Sequence, residues 1–187
     1  MKFYHFTRKD AVDSILKQGI LAGITPFELN DIFVSLTSLL DPNDNGLITG
    51  QKLVENVSPQ FNFMAGHYPN LISGLAPNRE LQLFDQTEVV LEIEIDKHDP
   101  NLIDYDSFVD FALIKFQRDQ THKVLFKAAG LASARFPIGG SNNAQDAETV
   151  RIMKSNQPIA PHWYFYRGTI PPSMITVKFR NGSGLYS

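Results

Sequence analysis

The chain contains no cysteine among its 187 residues. That absence excludes disulfides, thiolate zinc sites and cysteine nucleophiles, and it fits a reducing compartment. Long apolar runs are missing too. No stretch approaches the roughly 20 residues needed to span a bilayer, and the N-terminal residues lack the apolar region of a secretory leader. The expected setting is the cytoplasm, with no membrane partner. An excess of positive charge is also absent: 17 lysines and arginines stand against 20 aspartates and glutamates, a formal net charge of -3. This argues against general electrostatic binding to nucleic acid. No internal repeat, low-complexity tract, P-loop, His-Glu-x-x-His or Gly-x-Ser-x-Gly pattern occurs. With 43% hydrophobic and 20% charged residues, the composition is that of a globular chain able to bury a core, and the length suits one domain, residues 1–187.

What is present is a mixture of strand and helix patterns. Residues 2–7 alternate, with Phe3, His5 and Thr7 on one side and Tyr4 and Phe6 on the other. A short helix is expected next, with Thr7 or Asp10 as N-cap, Val12, Ile15 and Leu16 as its apolar stripe, and Gly19 as a left-handed C′ residue. Residues 32–38 read as a strand and residues 52–78 as an irregular, loop-rich stretch. The clearest strand is residues 88–95, where Val89, Leu91, Ile93 and Ile95 share one face and Val90, Glu92 and Glu94 form a half-exposed one with solvated glutamates. Helices are expected at 106–116, with Phe108, Phe111, Ala112 and Lys115 at helical spacing, and at 122–134, with Val124, Leu125, Ala128 and Leu131 inward. Residues 136–143 read as a flexible loop, and 148–153, 162–168 and 175–179 as strands. Without regular βαβ alternation, the pattern favours an α+β fold.

Candidate sites each carry a plain structural reading. Asp41-Pro42-Asn43-Asp44-Asn45-Gly46 matches the first half of a calcium loop, but position 12 is Lys52, which removes a bidentate carboxylate and adds a positive charge. The expectation there is an Asx/Gly turn and no metal. The histidines His67, His98, His122 and His162 lack metal-site spacing, and Trp163 reads as core. His5 at a strand end, and Ser35, Thr37 and Ser38 in a strand, are by themselves ordinary structural residues. Asp146 and Glu148, spaced i, i+2 before an apolar strand, point to one side. Glu92 and Glu94 share that spacing, so the spacing alone does not choose between the pairs.

The order of motifs adds something. Tyr4-His5-Phe6-Thr7, followed by Ile15-Leu16-x-x-Gly19-Ile20-Leu21, resembles the opening of ADP-ribosyltransferase-like proteins, including RNA 2′-phosphotransferases and DNA-modifying toxins. Val34–Ser38 sits where that fold has its second NAD-lining strand. Gly168-Thr169-Ile170-Pro171-Pro172-Ser173-Met174-Ile175 is similar to the Gly-x-Ile-Pro-x-x-x-Ile segment that follows the catalytic glutamate strand. The resemblance implies a split β-sheet with flanking helices and an enzyme that transfers ADP-ribose from NAD to a macromolecular acceptor, protein or nucleic acid, as a toxin or phage-related effector. It implies that His5, assisted by Thr7, binds NAD, that Ser35 or Thr37 braces the glutamate strand and the nicotinamide ribose, and that Arg8 or Arg135 contacts the pyrophosphate. Glu148, with Glu94 as the alternative, would stabilise the charge growing on the ribose. The paired arginines of the RNA 2′-phosphotransferases are not evident. A different implication is a binding module that keeps the fold without turning over NAD.

Overall fold

In the computed structural model, residues 1–23, 25–29, 31–45, 47–54, 83–127 and 160–187 are described. They build an α+β fold. The strands are β1 (Lys2–Thr7), β2 (Phe33–Thr37), β3 (Leu53–Val54), β4 (Leu83–Phe84), β5 (Val89–Glu94), β6 (Leu102–Asp104), β7 (Trp163–Arg167) and β8 (Ile175–Phe179). The helices are α1 (Val12–Gln18) and α2 (Tyr105–Lys115), and residues 123–127 are also helical. Six strands form one antiparallel sheet in the order β6-β7-β2-β1-β5-β8, and β3 pairs separately with β4. No described helix is long and apolar enough to cross a membrane.

The sheet is weakest in its middle. β1 pairs with β5 along its whole length, from Lys2 opposite Glu94 to Thr7 opposite Val89. β2 pairs with β7 from Phe33 opposite Arg167 to Thr37 opposite Trp163. Between β1 and β2, the only paired position among the described residues is Tyr4 opposite Thr37. The sheet is therefore two three-stranded halves joined at one point.

One face of the sheet is covered across both halves, with Val34, Leu36 and Tyr166 of the β2 side joining the residues of the β1 side, and the other face is covered on the β2 side. Opposite residues of antiparallel strands share a face, so Phe3, Leu91 and Ile93 lie together, and Val12 and Ile15 of α1 pack in the same cluster. On the β2 side the other face is filled: Phe33 and Phe165 pack under Tyr105, Phe108, Val109, Ala112 and Leu113 of α2. The Phe108 and Phe165 rings stack 3.7 Å apart at 9°. Each such ring contributes about 1.5–3 kcal/mol by leaving water.

Several local details differ from the sequence pattern. Asp10 does not cap α1, because its carboxylate pairs with Arg8 at 2.6 Å. A 3-10 turn, Lys9–Ala11, leads in, and α1 starts without a side-chain cap. Leu16, expected inward, is exposed. Gly19 has φ 86 and ψ -178, so it is not a left-handed C′ residue. Its role is close approach: Ile20 and Ile170 exchange backbone hydrogen bonds of 2.9 and 3.0 Å, and a Cβ on residue 19 would meet the Ile170 carbonyl oxygen at 2.2 Å. α2 begins at Tyr105, capped by Asp104, which accepts from Ser107 N at 2.8 Å, and Lys115 faces solvent. Val124 is turned outward, because Lys123 and Lys127, one turn apart, face α2 and pair with Asp110 and Asp106. Glu92 is not solvated: it is buried between Lys2 at 2.5 Å and Lys178 at 2.8 Å. Leu53 and Val54 belong to a strand pair rather than to an irregular stretch. The expected helix end at 128–134, loop at 136–143 and strand at 148–153 lie outside the described residues.

Candidate functional site

The divergence of β1 from β2 places His5 at a fork. After Tyr4 opposite Thr37, continued pairing would set Phe6 opposite Ser35, but that pair is not formed. Instead the His5 imidazole crosses the gap, and its Nδ1–H donates to the Ser35 carbonyl oxygen at 2.9 Å. A carbonyl only accepts, so this bond sets the tautomer and leaves Nε2 with its lone pair. Burial pushes the imidazole below its ordinary pKa of 6.5, and the bond to Ser35 only partly opposes this. A neutral ring is therefore held at the fork with an acceptor nitrogen to offer. Among the described residues no hydrogen bond to Nε2 is formed.

The other candidates are distributed as follows. Thr7 shares the face of His5 at the far end of β1, opposite Val89. Thr37 pairs with Tyr4, so the side chains of Thr37 and Ser35 point to the opposite face from His5. Ser35 meets His5 through its backbone alone. The Thr37 hydroxyl is buried, donates to Asn45 Oδ1 and accepts from Leu39 N at 3.1 Å. Arg8 lies just past β1, paired with Asp10 and set over the Phe84 ring at 5.2 Å. It borders an open groove of ≈ 540 Å³ in which Arg8 and Lys9 face Asp10, Asp13 and Glu88. Among its described lining residues carboxylates outnumber cations. Glu94 lies opposite Lys2 and Glu92 opposite Tyr4, both on the face away from His5. Glu92 is held below the usual carboxylate range by hydrogen bonds from Lys178 and Lys2. Glu148, Asp146 and Arg135 lie outside the described residues.

Two residues that local patterning left unselected are brought together. Just beyond β2, Ser38 Oγ lies 2.8 Å from His162 Nδ1, and Ser38 N donates to the His162 carbonyl at 3.0 Å. This pair continues the β2–β7 register one step past Thr37 opposite Trp163. Side-chain alternation puts Ser38 on the side of Leu36, which is the side of His5. The available signal was a histidine directly before an aromatic strand and a serine directly after another. Only strand pairing makes them neighbours.

The Asp41 loop is built as a turn. Asp41 Oδ1 accepts from the backbone N of Asn43 at 2.8 Å and from its Nδ2 at 2.9 Å. Asn45 Nδ2 donates to the carbonyls of Leu39 and Asp41 at 3.0 and 2.9 Å. The would-be ligand oxygens of Asp41 and Asn45 are occupied by the chain itself. Among the described residues no group of three or more His, Asp or Glu is placed to hold a metal ion.

The fork thus offers an acceptor nitrogen from β1, which suits a sugar hydroxyl. The Ser38–His162 pair lies on the other side of the Tyr4–Thr37 pairing, in register with Phe3, and the packed rings of Phe3 and Tyr164 separate it from His5. The chain matches no family model, and no curated protein or solved structure is detectably similar to it.

Proposed function

We propose that the chain takes NAD into the fork between β1 and β2 and transfers ADP-ribose to a macromolecular acceptor. The observation that carries this reading is the His5 imidazole bridging two strands that have stopped pairing. A neutral ring with Nε2 open accepts a hydrogen bond from a ribose hydroxyl. The fold class and the order of motifs along the chain, from Tyr4-His5-Phe6-Thr7 to the Gly168–Ile175 segment, support an ADP-ribosyltransferase-like split sheet. In this reading Glu148 supplies the carboxylate that stabilises an oxocarbenium-like ribose as nicotinamide leaves. The two β5 glutamates face away from His5, which leaves Glu148 as the preferred residue over Glu94. The test is nicotinamide release on incubating the purified chain with NAD. Release by the natural chain, with loss in Glu148→Gln and His5→Ala, is the expected result. Retention in Glu148→Gln and loss in Glu94→Gln would overturn the carboxylate assignment.

A second reading has its own observation. β7, the strand leading into Gly168-Thr169-Ile170-Pro171, contains no Asp or Glu. A fork without a carboxylate on that strand suits a module that binds NAD, or a nucleotide like it, without cleaving it. Thermal stabilisation by NAD with no nicotinamide release would select this reading.

A further inference from the structure

We propose that the free edge of β8 takes an extended, acidic segment of a partner protein as an added strand. The inference stands apart from the NAD reading. Its basis is a row of main-chain groups that the sheet leaves open. Phe179 N donates to the Ser187 carbonyl and Ser187 N to the Phe179 carbonyl, both at 3.1 Å, so the main chain of Phe179 faces away from β5. Main-chain direction alternates along a strand, so Ile175 and Val177 face the same way. Ile175 N already donates to the Pro172 carbonyl. Among the described residues, the Ile175 carbonyl and the N–H and carbonyl of Val177 make no hydrogen bond.

Open N–H and C=O groups along an edge strand are a template for one more strand. The chain itself uses part of this edge. Residues 185–187 return along it, with Arg180 bridged to Tyr186 and Asn181 N donating to the Leu185 carbonyl at 2.8 Å. They reach Phe179 and leave Val177 and Ile175 uncovered. An antiparallel segment beyond them can form three bonds. One of its residues exchanges two with Val177, and the residue two further on donates to the Ile175 carbonyl. A second copy of the chain fits this edge poorly. Two β8 strands paired about Val177 would set Ile175 opposite Phe179 of the other copy, whose main chain already serves Ser187.

The side chains of β8 select the partner. Opposite residues share a face, so positions against Val177 and Ile175 meet the half-buried apolar side that joins the α1 core. The position between them stands opposite Thr176, which is exposed, and diagonal to Lys178. Lys178 and Lys2 share one buried carboxylate, Glu92, and β8 contains no Asp or Glu. Glu94 stands opposite Lys2, at the far end of β5 from Val90, which pairs with Lys178. A segment that reads apolar, acidic, apolar therefore complements the edge in main-chain bonds, packing and charge.

The test is an NMR titration of the full chain with an end-blocked Thr-Val-Glu-Val-Thr peptide at millimolar concentration. The Val177 N–H signal is expected to shift and its hydrogen exchange to slow. Thr176 and Lys178 N–H, already turned toward β5, are expected to change less. N-methylation of the first valine of the peptide removes one bond and is expected to weaken binding roughly two- to tenfold. Lysine in place of the glutamate is expected to weaken it roughly two- to fivefold. Val177→Pro removes the outward N–H at an edge position, where proline is tolerated, and is expected to abolish binding. The N-methyl comparison uses the natural chain, so it decides even where that variant does not fold. A Val177 N–H unmoved by the peptide, or equal binding of the N-methylated peptide, overturns strand addition. Equal binding of the lysine peptide overturns the acidic partner. Sedimentation that shows a dimer, with Val177 N–H protected before any peptide is added, assigns the edge to a second copy and overturns the proposal. None of these results alters the reading of nicotinamide release from NAD.

Discussion

The side-chain contact from His5 to Ser35 across the seam of the sheet is open to direct measurement. His5→Ala removes the Nδ1–H donor and leaves the Ser35 carbonyl facing β1 without a partner. No neighbouring pair of the ladder replaces it, because Tyr4 opposite Thr37 is the single paired position between these strands. Stranding this part-buried acceptor costs about 1–3 kcal/mol. In a chain of this size each kcal/mol lowers Tm by roughly 2–4 °C, so a central estimate of about 2 kcal/mol gives about 4–8 °C. His5→Asn is the informative partner, since its amide N–H sits close to the place of Nδ1–H and can reach the same carbonyl. It is expected to recover most of the loss. The pH dependence follows from the same ring. Burial holds its folded pKa below 6.5, so below 6.5 the unfolded chain takes up a proton that the folded chain refuses. The His5 contribution to stability is then complete above 6.5 and declines as pH falls from 6.5 toward the lower folded value. Urea unfolding followed by circular dichroism at about pH 7.5 and about pH 5.5 reads both effects. An alanine variant within about 0.5 kcal/mol of the natural chain at the higher pH, or an asparagine variant no better than alanine, would refute the reasoning.

A second prediction concerns Asp85, 1% exposed, which accepts from Arg180 at 2.7 Å and from Thr87 N and Oγ at 2.8 and 2.7 Å. Arg180→Met leaves this carboxylate buried without its cation and is expected to cost about 3 kcal/mol in urea unfolding at neutral pH. Burial raises the Asp85 pKa, but the bonds from Thr87 and Arg180 outweigh it and hold the carboxyl below 3.8. Its stabilisation is therefore complete above 3.8 and lost as pH falls through the lower folded value, so Asp85→Asn should reduce the acid sensitivity of the natural chain. A third prediction concerns the Asp41 loop, whose oxygens already serve the turn. Calcium or a chelator should move Tm by less than about 1 °C, and a rise that saturates with calcium would show a site that the loop geometry argues against.

Strands and their faces were largely legible along the chain. Residues 175–179 match β8 to the residue, and the faces assigned to residues 2–7 and 88–95 are those seen in β1 and β5. Periodicity reports the side of a strand because alternation is a local property of an extended backbone. It says less about what covers that side. Glu92 looked solvated from its neighbours in sequence, yet Lys2 and Lys178 close over it from two different strands. Gly19 was recognisable as a necessary glycine, but the cause is the Ile170 backbone, far along the chain. The short β3, β4 and β6 carried too few residues for any period to show.

The candidate site divides in the same way. From sequence alone came the α+β class, the alternation that sets His5 and Thr7 beside Phe3, the turn at Asp41 and the exclusion of thiol chemistry. Each depends on residue type or on neighbours a few positions apart. Tertiary structure decided that β1 parts from β2 after a single pairing, that His5 meets Ser35 across 30 residues and that Ser38 meets His162 across 124. It also turned Ser35 and Thr37 away from His5. These outcomes follow from strand order and register, which are set by how the two cores pack on opposite faces of the sheet, and no local stretch of sequence carries that information.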